Sequence, residues 1–125
     1  MTGLYASIGM TGRSILIVED EPLIAMMLED FLDALDHLVA GTADSVSSAL
    51  DLLGQGGVDA AILDVNLRGG ETCWPIADAL AAADIPFILA TGGGGESIAE
   101  AHRGRPVLSK PFTMDNVDKA IEGLG

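Results

Sequence analysis

Three features of the sequence predict a three-layer α/β domain built on a five-stranded parallel sheet. Five short apolar segments alternate with five stretches of helical periodicity. The segments lack the apolar/polar alternation of a strand with one wet face, so they read as strands covered on both sides. A dozen or more residues separate successive segments, the length that right-handed crossovers between parallel strands require.

Ser14-Ile15-Leu16-Ile17-Val18 is the first strand, ended by Glu19-Asp20-Glu21. Pro22 has no donor and suits a first helical turn. Leu23, Ile24, Met27, Leu28, Phe31, Leu32 and Leu35 then recur on one side, which places a helix over about 21–35. Leu38-Val39-Ala40-Gly41 is the second strand. Asp44 is a candidate cap for a helix carrying Val46, Ala49, Leu50 and Leu53, which Gly54-Gln55-Gly56-Gly57 stops. The third strand covers 58–64 and ends in Asp64. Arg68-Gly69-Gly70 makes a flexible turn before the helical spacing of Cys73, Ile76, Ala77 and Leu80, with Pro75 near the helix start. Residues 85–90 form the fourth strand, closed by Thr91. After Gly92, Gly93, Gly94 and Gly95, only about 96–103 remain for a fourth helix, too short to stand without packing. Residues 106–109 form the fifth strand, then come Lys110-Pro111 and a last helix from Thr113, a candidate cap, through Leu124.

A chain of 125 residues with 49% hydrophobic composition holds one core. Residues 1–13 read as a frayed lead-in and 14–125 as the domain. The 6 Lys and Arg against 19 Asp and Glu give a formal net charge of -13, which would repel a phosphate backbone and argues against direct nucleic-acid binding. The lone Cys73 fits a small buried hydrophobe in a reducing compartment. No apolar run approaches the ~18–20 residues of a membrane span, and residues 1–11 lack a secretory signal, so no membrane association and a cytoplasmic location are expected.

If the strands are parallel, their carboxyl ends converge at one edge, where open α/β sheets form their binding crevice. That edge would carry Glu19 and Asp20, Asp64, Thr91 and Lys110. Three carboxylates with one lysine repel one another unless a cation sits among them, and hard oxygen donors suit Mg2+, with the Asn66 carbonyl completing the set. Asp64 would then be a nucleophile for a phosphoryl group, with Lys110, the Thr91 hydroxyl and the Gly92 amide on the transferring oxygens. Each residue alone has a plainer reading. Glu19-Asp20 would serve as a helix cap, Lys110 as a solvated lysine, and the glycine run lacks the Gly-Lys-Ser/Thr of a nucleotide loop. The ordered combination is far more specific. His37 and His102 have no ligand spacing and are not assigned as phosphodonors. Trp74 and Phe112 read as core, and Met10, Met26, Met27 and Met114 as packing fillers.

Glu19-Asp20, Asp64 with Asn66, Thr91 and Lys110-Pro111 together resemble the signature of the response-regulator receiver domain, over 14–124. The resemblance implies a doubly wound, flavodoxin-like (CheY-like) fold with strand order 2-1-3-4-5. It also implies phosphoryl transfer to Asp64 from a histidine kinase or histidine phosphotransfer protein, with Mg2+ held by Glu19, Asp20, Asp64 and the Asn66 carbonyl. Thr91, Gly92, Lys110 and Val65 would contact the phosphoryl group, and Lys110-Pro111 would be cis. The run Pro86-Phe87-Ile88-Leu89-Ala90-Thr91-Gly92-Gly93-Gly94 is similar to the motif of the FAT GUY receiver subgroup, associated with kinases of the HWE/HisKA2 type, with Leu89 in place of the second Phe.

Two departures stand out. Val107 holds the strand-five position where receivers usually carry an aromatic switch residue, and the interval from Thr91 to Lys110 is about one helical turn short. The fourth helix is therefore expected to be truncated or partly loop, and Gly92–Gly95 with the residues up to Arg103 to be the element that orders on phosphorylation. With no output domain after Gly125, the signal is expected to pass by phosphotransfer, as sink or shuttle, or by docking an unknown downstream protein on the face of helix four, strand five and helix five. Two other readings compete: a receiver-like interaction module that works without phosphorylation, and a Mg2+-dependent phosphohydrolase. The latter lacks the Asp-x-Asp of the haloacid-dehalogenase type, because Asn66 stands at its second position.

Overall fold

The computed structural model describes residues 12–92 and 98–124. Its five strands are β1 (Ser14–Val18), β2 (Leu38–Ala43), β3 (Ala60–Asp64), β4 (Phe87–Thr91) and β5 (Val107–Ser109). They form one parallel sheet in the order β2-β1-β3-β4-β5, the doubly wound arrangement of the flavodoxin-like fold. Four α-helices stand among the described residues: α1 (Pro22–Ala34), α2 (Val46–Gly54), α3 (Trp74–Ala82) and α4 (Met114–Glu122).

Alternate residues of each strand face opposite layers, which is why the strands are apolar throughout. Ile15, Ile17, Ile62, Ile88 and Leu108 pack with Leu28 and Leu32 of α1 and Val117 and Ile121 of α4. On the other face, Leu16, Val18, Leu63, Phe87 and Leu89 pack with Ala49 of α2 and Ile76, Ala77 and Leu80 of α3. Every residue of β3 and β4 is buried, so the middle of the sheet is covered on both sides.

The structure corrects several expectations. The expectation of a truncated or partly looped fourth helix, by contrast, holds: among the described residues there is a single 3-10 turn, Glu100–His102, followed by Arg103 in extended backbone. Eight residues cannot sustain a free helix, and this turn is fixed by burying His102. The cap of α2 is Ser45, not Asp44: its hydroxyl accepts from the Ser48 amide (3.1 Å) and the Ser48 hydroxyl accepts from the Ser45 amide (3.3 Å). Thr113 caps α4 as expected, accepting from the Asn116 amide (3.1 Å). Leu23, Met26 and Met114 are exposed rather than core, whereas Phe112 is buried and Trp74 partly so.

The ends of α1 and α3 carry no glycine. Asp36 (φ 68°) and Asp84 (φ 58°) take the left-handed conformation there, and the His37 and Ile85 amides reach back to the Leu32 and Leu80 carbonyls (both 2.9 Å). Aspartate tolerates that region better than most side chains, which makes it a workable stop.

Replacing Ser45 with Ala removes the hydroxyl that accepts from the Ser48 amide and is expected to lower unfolding free energy by about 1 kcal/mol. Urea unfolding checks this as a lower midpoint at unchanged slope.

Candidate functional site

The strand ends that converge at the carboxyl edge bring the acidic residues together. Val18 pairs with Leu63, and Asp64 with Ala90, so Glu19 and Asp20 leave β1 beside the last residue of β3. One carboxylate oxygen from each of Glu19, Asp20 and Asp64 lies within 4.8 Å of the others. Glu19 and Asp64 are buried and Asp20 is half-buried.

Lys110, just beyond β5, reaches across the end of β4 into this cluster. Its Nζ donates to Asp64 Oδ2 (2.9 Å) and lies 3.2 Å from Glu19 Oε1. Asp64 Oδ1 accepts from the Asn66 amide (3.3 Å). Glu19 Oε2 accepts from the Glu21 amide (3.1 Å) at the start of α1, so Glu19 serves the helix and the cluster at once. Its Oε1 is buried beside the ammonium without hydrogen-bond geometry.

Burial pushes Glu19 up to about 7, with Asp64 adding in the same direction and the Glu21 amide and Lys110 opposing. Burial also opposes the charge on Lys110. The hydrogen bond to Asp64 and the nearness of Glu19 outweigh it and hold the ammonium above its ordinary range. An orphaned buried oxygen among three carboxylates fits a divalent cation such as Mg2+.

The remaining expected residues fall into four groups. Thr91 is buried at the end of β4, one residue past the partner of Asp64, and Gly92 follows it. Val65 is buried and its amide donates to the Ala90 carbonyl (3.0 Å), so it is tied into the sheet, and the amide beside the Asp64 carboxylate is that of Asn66. Val107 is half-exposed on β5, and the Lys110-Pro111 bond is cis. Gly93, Gly94 and Gly95 lie outside the described residues.

Two features escaped the sequence reading. Arg68 sits on a short hairpin after β3, closed by the Asn66–Thr72 bridge and the Leu67 amide bond to the Glu71 carbonyl (2.8 Å). Its Nη2 donates to the Asp20 carbonyl (2.6 Å) and its Nε lies 3.8 Å from Asp20 Oδ2. It overlooks a cleft of about 340 Å³ shared with Glu19, Asp20, Thr42, Asp44 and Ser48. His102 is buried, its Nε2 within 2.7 Å of Asp78 Oδ1, stacked on Trp74 and edge-on to Phe87. No spacing signal joins His102 to Asp78, because only the path of the chain after β4 brings them together. His37 lies elsewhere, accepting the Arg13 amide on Nδ1 (3.0 Å), with burial lowering its imidazole. Burial also raises the Cys73 thiol to about 12, which leaves it unreactive.

The sequence matches the response regulator receiver domain family over residues 15–122. It is similar to the phyllosphere-induced regulator PhyR of Methylorubrum extorquens, 34% identical over 111 residues that cover 86% of this chain and 41% of that protein. The chain thus spans about two-fifths of that relative's length. Among solved structures, SdrG from Sphingomonas melonis Fr1 is 62% identical with a TM-score of 0.83, covering 91% of this chain and 97% of SdrG. SdrG in its BeF3-activated conformation, from Pseudomonas melonis Fr1, is 64% identical with a TM-score of 0.77, covering 89% and 94%. The receiver domain of Erythrobacter litoralis PhyR is 31% identical with a TM-score of 0.80, covering 93% and 92%. No described helix is long and apolar enough to cross a membrane.

The raised Glu19 value carries a signed consequence. The folded chain holds this proton more tightly than the unfolded chain, so the group's contribution to stability is complete below about pH 4.5 and is lost as pH rises through about 7. In the metal-free protein, Glu19→Gln is therefore expected to become progressively more stable than the parent between those limits. Urea midpoints across that range, parent against variant, read the divergence; parallel curves would contradict it.

Proposed function

The chain belongs to the response regulator receiver domain family, and on that premise we propose that Asp64 accepts a phosphoryl group from a phosphohistidine of a histidine kinase or histidine phosphotransfer protein. The observation that carries this reading is Asp64 at the end of central β3, with the Lys110 ammonium at 2.9 Å and the Glu19 and Asp20 oxygens within 4.8 Å. An Asp64 carboxylate oxygen forms the new bond to phosphorus as the phosphorus–nitrogen bond of the donor breaks and the electron pair leaves with the imidazole. Mg2+, held by Glu19, Asp20, Asp64 and the Asn66 carbonyl, would supply positive charge against the transferring oxygens.

Lys110 keeps its ammonium charged and aimed at Asp64, so it neutralises oxygens of the arriving group. Thr91 and Gly92, at the adjoining strand end, offer a hydroxyl and an amide to the same group. The burial of Asp64 keeps bulk water from the new acyl phosphate.

The run from Pro86 to Gly94 supports membership of the FAT GUY subgroup and a kinase partner of the HWE/HisKA2 type. Without a ring at Val107, the phosphorylated state is read through Thr91 and the segment that follows it. Half-exposed Val107 (50%), which lines a cleft of about 490 Å³ between β5 and α4, supports this face as the dock for a downstream protein.

Incubation with acetyl phosphate, followed by intact mass, is expected to add one phosphoryl group to the parent only when Mg2+ is present, and none to Asp64→Asn. Lys110→Ala is expected to label about a hundredfold more slowly. Labelling of Asp64→Asn, or of the parent without any divalent cation, would overturn the assignment.

A further inference from the structure

We propose that Arg68 is a built-in counter-cation that holds Asp20 in the metal-free protein and yields the carboxylate when Mg2+ enters, and so sets the metal affinity of the site. This rests on the receiver reading and adds a residue to it.

The division of charge at the site carries the argument. Lys110 lies against Glu19 and Asp64, at 3.2 and 2.9 Å. The cation beside Asp20 is Arg68, whose Nε stands 3.8 Å from Oδ2 while Nη2 is anchored on the Asp20 carbonyl at 2.6 Å. Three carboxylates thus face two cations, and a dication arriving at Asp20 meets the guanidinium already there. The side chain of Arg68 is 67% exposed, so its Nε can turn from Oδ2 toward solvent, with the bond from Nη2 to the Asp20 carbonyl as its remaining tie.

The backbone beneath Arg68 is held independently. The hairpin is closed by the Asn66–Thr72 bridge and the Leu67–Glu71 bond, and Glu71 Oε1 accepts from the Val46 amide at the start of α2 (3.1 Å). Gly69 and Gly70, at φ 77° and 81°, make the tip that this closure needs. A long cationic side chain on a fixed arm above a ligand carboxylate acts as a competitor with a fixed local concentration.

The test is Mg2+ titration of the full chain, followed by backbone amide shifts at Val65 and Asn66, in the parent, Arg68→Gln and Arg68→Lys, at low salt and near 1 M KCl. Arg68→Gln is expected to bind Mg2+ about tenfold more tightly at low salt. The gain should shrink to less than twofold near 1 M, where the screening length is roughly 3 Å. Arg68→Lys, which keeps the charge, is expected to stay within about twofold of the parent. Equal or weaker Mg2+ binding by Arg68→Gln, or a gain that salt leaves intact, would overturn the proposal while leaving the receiver reading in place. Absence of Mg2+ binding by the parent would overturn both.

Discussion

Glu19 and Asp64 are buried side by side, and the negative charge they concentrate is met by the one ammonium that lies against both. The Lys110 side chain supplies that ammonium from β5, two strands away from Asp64 in the sheet. It must therefore cross the end of β4, where the Lys110 amide donates to the Thr91 carbonyl (2.9 Å). The order of the sheet and the length of a lysine side chain are thus one constraint. A shorter cation at position 110 would leave the acids facing each other.

The apolar layers make this arrangement tolerable. β3 and β4 are buried along their whole length between α1 and α4 on one face and α2 and α3 on the other. Such a core holds the strand ends in fixed register, so the charged groups meet without each loop having to find its place. The same burial raises Glu19, opposes the Lys110 charge and leaves one Glu19 oxygen unbonded. A site that is incomplete in its own charges is one that a metal and a phosphoryl group can complete.

Two loops leave the carboxyl edge of the sheet with side-chain contacts of their own, one after β3 and one after β4. After β3, the closed hairpin places Arg68 over Asp20. After β4, the described residues make a 3-10 turn, Glu100–His102, that seats His102 against Trp74, Phe87 and Asp78 and ties residues just upstream of β5 to the α3 side of the sheet. Both devices join residues far apart in sequence, through side chains whose neighbours no periodicity reveals.

Strand identity, the α/β class and the placing of Glu19, Asp20, Asp64, Thr91 and Lys110 at strand ends were all determined by the sequence alone, because an apolar run that ends in a charge or a hydroxyl marks both a buried strand and its exit. The Thr113 cap was legible for a similar local reason. Ser45 as the true cap of α2, aspartate rather than glycine ending α1 and α3, the seating of His102 against Trp74 and Asp78, the sheet-bound amide of Val65 and the grip of Arg68 on Asp20 were decided only by the tertiary structure. Local patterns report what one segment buries and where it must turn. Which carboxylate meets which cation depends on strand order and loop path, and these are set by the packing of the whole domain.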